Sequence, residues 1–293
     1  IFSGTDAFAA TYPESVRIGL YFGSSSASNV AFDSEKGLEA GYYQNGRFNA
    51  LIEETGGKQI IVRKDTYFIK SDKGVLEEYN PTEGVPYDGE TLGPYHIRIG
   101  DKVSNLSSAQ SASDKIKKEG VTAYPVFEDG WAVWTGFYGD AARAKEDIKN
   151  LKARLNTDNL TVIEPSASRL IVYDGDFKPI LVFGSEDYKF TVRPGQSNDP
   201  EVLSVNGKRY RGEIELRRYS GSDMTVINVI GLEEYLYGVV PSEIEAYAPL
   251  EAVKAQAVAA RTYSYLNMGK YNKWGFDMVD TVDSQVYGGY DVE

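Results

Sequence analysis

The stretch from Val229 to Tyr263 constrains this chain more than any other. It reads Val229-Ile-Gly-Leu-Glu-Glu-Tyr-Leu-Tyr-Gly-Val-Val-Pro-Ser-Glu243 and resumes as Pro249-Leu-Glu-Ala-Val-Lys-Ala-Gln-Ala-Val-Ala-Ala-Arg-Thr-Tyr263. A strand over Thr225 to Ile230 is expected to lead through Gly231 into a short amphipathic helix ending at Gly238. A Val-Val-Pro turn would then present Ser242 and Glu243. Pro249 opens a second helix, because its missing N–H would find no intrahelical partner in the first turn. Ala252, Ala255, Ala257, Ala259 and Ala260 let that helix be surrounded closely, so it reads as a buried central helix. Lys254, Gln256 and Arg261 on it then need specific partners. Glu243, on a strained turn ahead of a rigid helix, is the candidate catalytic carboxyl. The competing reading is an acid in the first turn of a helix, favoured there by the dipole.

Composition removes several classes of function. A net charge of −12 opposes binding to nucleic acid, whose phosphates call for a basic face. It equally opposes an anionic membrane surface. With no Cys and a single His, a thiol nucleophile and a Cys-based zinc site are excluded, and no metal or cofactor is expected. His96 lies on an expected strand and reads as structural. No apolar run is long enough to span a membrane. The 22 tyrosines offer flat faces with polar tips, suited to sugars, but strands and cores use them too. Ala7-x-Ala9 has the form of a signal-peptidase site whose charged and apolar precursors are missing, so residues 1–10 read as a signal-peptide remnant.

Taken in order, residues 11–92 read as a β-rich segment. Val16 to Phe22 alternates as a strand, and residues 38–52 form a hairpin around Asn45-Gly46. Ile60 to Val62 and Tyr67 to Ile69 add short strands, and residues 72–94 read as punctuated loop. From residue 93 to 166 a strand–helix–strand pattern occurs twice, with Ile97-Arg-Ile-Gly aligning on Val133-Trp-Thr-Gly. Two such units make a ferredoxin-like βαββαβ sheet. Residues 168–230 read as strands with a turn at Asn206-Gly207, giving an α+β chain overall.

The motifs Leu232-Glu-Glu-Tyr-Leu, Gly238-Val-Val-Pro-Ser-Glu, the Ala-rich helix from Leu250 to Tyr263 and Asp280-Thr-Val-Asp-Ser-Gln-Val-Tyr-Gly-Gly-Tyr290 resemble the SpoIID/LytB family of sporulation and cell-wall proteins. Residues 167–293 are thus expected to be a SpoIID/LytB catalytic region. Because relatives continue past the Gly-Gly-Tyr word, that region is expected to be C-terminally truncated. The βαββαβ unit resembles a SPOR domain, a module that binds denuded peptidoglycan glycan strands. Trp131, Trp134 and Tyr138 are the residues placed near its sugar-binding sheet, against the competing reading that they pack in the core.

The resemblance implies a secreted or cell-wall protein, in the extracytoplasmic space or the space between forespore and mother cell. It implies a lytic transglycosylase with Glu243 as acid and base, or a LytB-like enhancer of an amidase, or a glycan-binding module. The implied partners are glycan strands and an amidase or other wall hydrolase. Arg261, Lys254, Gln256, Gln285, Tyr287 and Ser242 fall within the family motifs as substrate contacts or supports of the site. An acid working near neutral pH needs a raised pKa, which the apolar Val239-Val-Pro turn would supply by desolvation. One carboxyl suffices only if the nucleophile belongs to the substrate. Were water the nucleophile, Asp280 or Glu245 would have to activate it. Glu233 and Glu234 read as solvated helix charges, and Asp277, Asp280 and Asp283 fit no metal-ligand spacing.

Overall fold

The two Asn-Gly pairs build tight hairpins. Asn45 and Gly46, like Asn206 and Gly207, all have positive φ, as a type I′ turn between twisted strands requires. A computed structural model describes residues 13–71, 75–195, 202–218, 224–245 and 247–293. The expected signal-peptide remnant lies outside the described residues.

The chain opens with β1 (Ser15–Tyr21), β2 (Asn29–Asp33) and the hairpin β3 (Leu38–Gln44) and β4 (Arg47–Glu54). There follow β5 (Ile60–Lys64), β6 (Phe68–Lys70), β7 (Leu76–Glu78) and β8 (Glu90–Leu92). The middle of the chain is β9 (Tyr95–Ile99), α1 (Leu106–Lys118), β10 (Tyr124–Glu128), β11 (Gly130–Tyr138), α2 (Ala141–Leu155) and β12 (Leu160–Ile163). Asn105 and Asp140 start the two helices by accepting from the backbone N–H groups of Ser108 and Arg143. Next come β13 (Arg169–Asp174), β14 (Pro179–Gly184), β15 (Phe190–Pro194), β16 (Val202–Val205), β17 (Lys208–Arg211), β18 (Glu213–Arg218) and β19 (Met224–Gly231). The chain closes with α3 (Leu232–Glu243), α4 (Leu250–Asn267) and the short β20 (Met278–Val279).

These strands form one sheet ordered β20-β1-β19-β18-β15-β3-β4 and another ordered β12-β9-β11-β10-β14-β13-β5-β2-β16-β17. The two share the largest core, with Val16, Ile18, Val192, Leu216 and Val226 from the first and Phe32, Val62, Val172, Phe183 and Leu203 from the second. The pairing cuts across the expected domain limits at 92 and 166. β1 runs against β19, and β13 against β5, so strands from before residue 92 and after residue 167 are woven into the same two sheets. Alternation along each strand decides which residues enter that core.

Within the long sheet, β12, β9, β11 and β10 lie in that order, each antiparallel to its neighbour, with α1 and α2 as the crossovers. A small sheet, β7-β6-β8, puts Phe68, Leu76 and Leu92 against Tyr124, Trp134, Ile171 and Tyr173. It therefore closes part of the face on which those aromatics stand. Residues 72–94, expected as loop, supply two of its three strands. Among the described residues no helix is long and apolar enough to cross a membrane.

Candidate functional site

Helix α3 runs five residues past its expected stop at Gly238, and Glu243 is its last residue. Gly238 is not spent as a cap. A Cβ there would meet the ring of Tyr287 at 2.6 Å, and its carbonyl accepts from Gly288 N at 3.0 Å. Pro241 falls in the final turn, where its missing N–H deprives the Tyr237 carbonyl of its usual partner, and the Ser242 hydroxyl donates to the Gly238 carbonyl at 2.8 Å. Glu243 is therefore neither on a strained turn nor in the first turn of a helix, and the dipole-favoured reading is overturned with the turn. Val239 packs into the core while Pro241 and Glu243 are exposed, so the carboxyl stands in solvent rather than against an apolar turn.

What holds Glu243 is the last segment of the chain. Its Oε1 accepts from the backbone N–H of Val286 at 3.0 Å. The flanking residues anchor that segment. Gln285 is buried and accepts from Ser264 Oγ at 3.1 Å. Tyr287 is buried against Tyr235 and donates its hydroxyl to Asn228 Oδ1 at 3.0 Å. Gln285, Tyr287 and Ser242 thus gather around α3 and Glu243 as supports.

The Ala-rich helix departs from expectation. Only Ala260 and Ser264 of α4 are buried, whereas Leu250, Val258 and Leu266 are 66%, 59% and 81% exposed. It lies on the surface, since small side chains permit close packing without compelling it. Lys254 pairs with Glu251 one turn away at 2.8 Å, and Gln256 is half-buried. Arg261 grips Glu233 through Nε at 2.7 Å and Nη2 at 2.6 Å. That pair sits ten residues before Glu243 on α3, roughly 15 Å along its axis. Arg261 is thus a clamp between helices, and Glu233 is its partner rather than a free surface charge. Hydrogen bonding to Arg261 holds Glu233 below the usual carboxylate range.

Two further groups complete the site. Asp280 is half-buried, and burial pushes its carboxyl up against the opposing pull of Lys208. Tyr235 is fully buried, its hydroxyl has no hydrogen-bond partner among the described residues, and it feels the charges of Asp280 and Glu243. Burial drives that phenol up as well, so it stays protonated. The sequence marked Asp280 only as a fallback and passed over Tyr235, whose signal was its place one helical face from Glu243. Chemically, the arrangement offers one solvent-facing carboxyl, Glu243, and one whose burial raises its proton affinity, Asp280.

The three aromatics of the middle unit do not share an exposed face. Trp134 is 3% exposed, under the Arg169 guanidinium at 4.8 Å. Trp131 packs beside Phe127, and Tyr138 turns toward α2, donating to Asp147. Trp131 and Trp134, three residues apart, face opposite ways by plain alternation, and a bulge between Thr135 and Tyr138, with Gly136 at φ 75°, takes Tyr138 off the face of Trp134. Trp134 is thereby removed as a sugar platform.

The family described as Stage II sporulation protein, SpoIID, matches residues 220–293. An uncharacterised protein of Brachyspira hyodysenteriae is 35% identical over 136 residues, 46% of this chain and 33% of that protein. A protein of Bacillus subtilis named Amidase enhancer is 28% identical over 225 residues, 76% of this chain and 28% of that protein. The chain thus spans about a third of the length of the curated relatives it matches. No solved structure matches.

Proposed function

Over residues 220–293 the chain belongs to the SpoIID/LytB family, and on that premise we propose that it acts on the glycan strands of bacterial peptidoglycan outside the cytoplasm, with Glu243 as the reacting carboxyl. The observation that carries this reading is the bond from Val286 N–H to Glu243 Oε1, which ties the Pro-Ser-Glu word to the Gln-Val-Tyr-Gly-Gly-Tyr word. One carboxyl oxygen is fixed and the group remains exposed to an incoming substrate. In the proposed reaction a protonated Glu243, desolvated by the glycan strand that covers it, gives its proton to the glycosidic oxygen as the C1–O bond breaks. The carboxylate then takes a proton from the muramic acid's own hydroxymethyl group, whose oxygen bonds to C1. The enzyme ends in its starting protonation state, and the product is an anhydro sugar. Mass spectrometry of denuded glycan after incubation tests this. Anhydro-muramic ends are expected, and Glu243→Gln should slow their appearance by roughly two to four orders of magnitude. Reducing ends would replace this chemistry by hydrolysis, with Asp280 or Glu245 activating a water.

A second reading, enhancement of an amidase, has its own support in the match to the Amidase enhancer and in the outward Leu250, Val258 and Leu266 of α4. It predicts stimulation of a purified amidase without glycan cleavage, undiminished by Glu243→Gln. The antiparallel order β12-β9-β11-β10 with two crossover helices supports a SPOR-like reading of residues 93–166.

A further inference from the structure

The long sheet opens where β10 leaves β14. The two strands run parallel and pair only at Val126 with Val182 and at Phe127 with Phe183. Toward their starts they part, and Thr122, Ala123, Pro179 and Ile180 line a cleft of about 870 Å³. A proline stands on each strand near the opening. Neither Pro125 nor Pro179 has an N–H with which to extend a ladder. The cleft is large enough for several sugar rings.

Its lining is unusual for a chain of net charge −12. Lys70, Lys117, Arg154 and Lys178 all border it. Lys70 and Lys178 have only loose acidic partners, Glu90 at 3.8 Å and Asp176 at 3.4 Å, and such exposed pairs exchange readily for another carboxylate. Of the acids in the cleft, Asp147 is engaged by Tyr138 and Asn150, and Asp174 by the backbone of Asp176 and Lys178. The aromatic walls are fixed. Phe137 stacks on Tyr124 with centroids 5.3 Å apart, and the buried Arg63 guanidinium lies 5.2 Å from its ring. Phe177 is held at φ 58°, a left-handed conformation that a bulky residue adopts only under constraint. Glycine would serve the turn better, so the ring is retained at some cost to the backbone. The Lys70 ammonium sits 5.6 Å from it.

We propose that this cleft binds an acidic saccharide, with a sugar face against Phe177, the fixed Phe137 ring as part of the wall, and carboxylates at the lysines and Arg154. The assignment rests on the glycan reading above and gives the strand a seat away from Glu243. Calorimetric titration of this chain with denuded glycan oligosaccharides, and with the same oligosaccharides carboxyl-reduced, tests it. Phe177→Gly should weaken binding about tenfold, the loss expected of a buried aromatic anchor, while thermal stability holds or rises as the φ strain is relieved. Lys178→Glu should weaken binding several-fold, and carboxyl-reduced glycan should bind less well than the native form. Wild-type binding that both variants retain unchanged would overturn the cleft and leave the glycan reading standing. Wild-type protein that binds no glycan would overturn both. Equal affinity for reduced and native glycan would overturn the acidic class of ligand.

Discussion

Asp65 and Asp280 are both carboxyls drawn out of water, and their surroundings treat them in opposite ways. Asp65 follows β5 and is fully enclosed. Burial pushes its carboxyl up, but His96, Arg169 and Arg63 together more than reverse this and hold it below the usual range. His96 Nε2 and Arg169 Nη1 each lie 3.0 Å from Asp65 Oδ2. His96 Nδ1 in turn lies 2.8 Å from the Gly136 carbonyl, and Arg169 Nε donates to Glu128 at 3.0 Å. Asp280 has burial without comparable compensation, since Lys208 only partly offsets it. A carboxylate held between His96 and two arginines joins three parts of the chain. One left short of partners takes up a proton more readily than usual. Enclosure alone does not distinguish structure from chemistry; the completeness of the compensation does.

Several substitutions would break or sharpen this contrast. The largest effect belongs to Asp65→Ala, which strands the buried His96 and Arg169. Stability should fall by about 3–5 kcal/mol in urea unfolding, as for other broken buried pairs. Gly238→Ala should cost about 1–3 kcal/mol, because its Cβ would press on Tyr287 at 2.6 Å. The displaced Val286 should also reduce any Glu243-dependent activity.

The two carboxyls should oppose each other in acid titrations. Asp65 is depressed in the fold, so its contribution is complete above its unfolded pKa of about 3.9 and is lost as pH falls through the lower folded value. Asp280 is raised, so it favours the fold below about pH 3.9 and loses that contribution as pH rises through its folded value. Asp280→Asn should therefore hold or raise stability at neutral pH and flatten the profile just above pH 4. A fall at neutral pH would show that its charge is compensated after all. The smallest effect is expected of Leu266→Lys on the outer face of α4, within about 0.5 kcal/mol of wild type. That variant separates the two functional readings, since it should impair amidase stimulation and spare glycan cleavage.

Much of the fold was legible before any coordinates. Alternation gave β1, the Asn45-Gly46 hairpin and the six elements from β9 to β12, because each carries its own period and turn. β2 was missed, and β15 and β16 were not separated within the β-rich stretch 168–230, being strands of four or five residues that depend on pairing with distant partners such as β3, β18 and β2. The stop at Gly238 was misread because a glycine can end a helix or admit a neighbouring ring, and only Tyr287 decides between them. Alanine density on α4 misled for a related reason: it permits burial without supplying a surface to be buried against. At the site, the family words brought Ser242, Glu243, Gln285 and Tyr287 to one place. Arg261 was drawn elsewhere by Glu233, which local spacing could not pair with it across two helices.

The placement of β1 carries a consequence for how the chain acquires its shape. β1 lies between β19 and β20, so Ile18 meets Asn228 on one side and Met278 on the other. Contacts between such remote positions must meet the entropy of closing very long loops before they return any energy, which slows folding. While the chain is being synthesised or threaded, the apolar Val16, Ile18 and Leu20 have no strand to pair with until β19 and β20 arrive. The unit from β9 to β12 contains all of its own crossovers and can condense first. The flanking segments close around it, and the Glu243 corner can form only once α3 and the segment carrying Val286 are both in place.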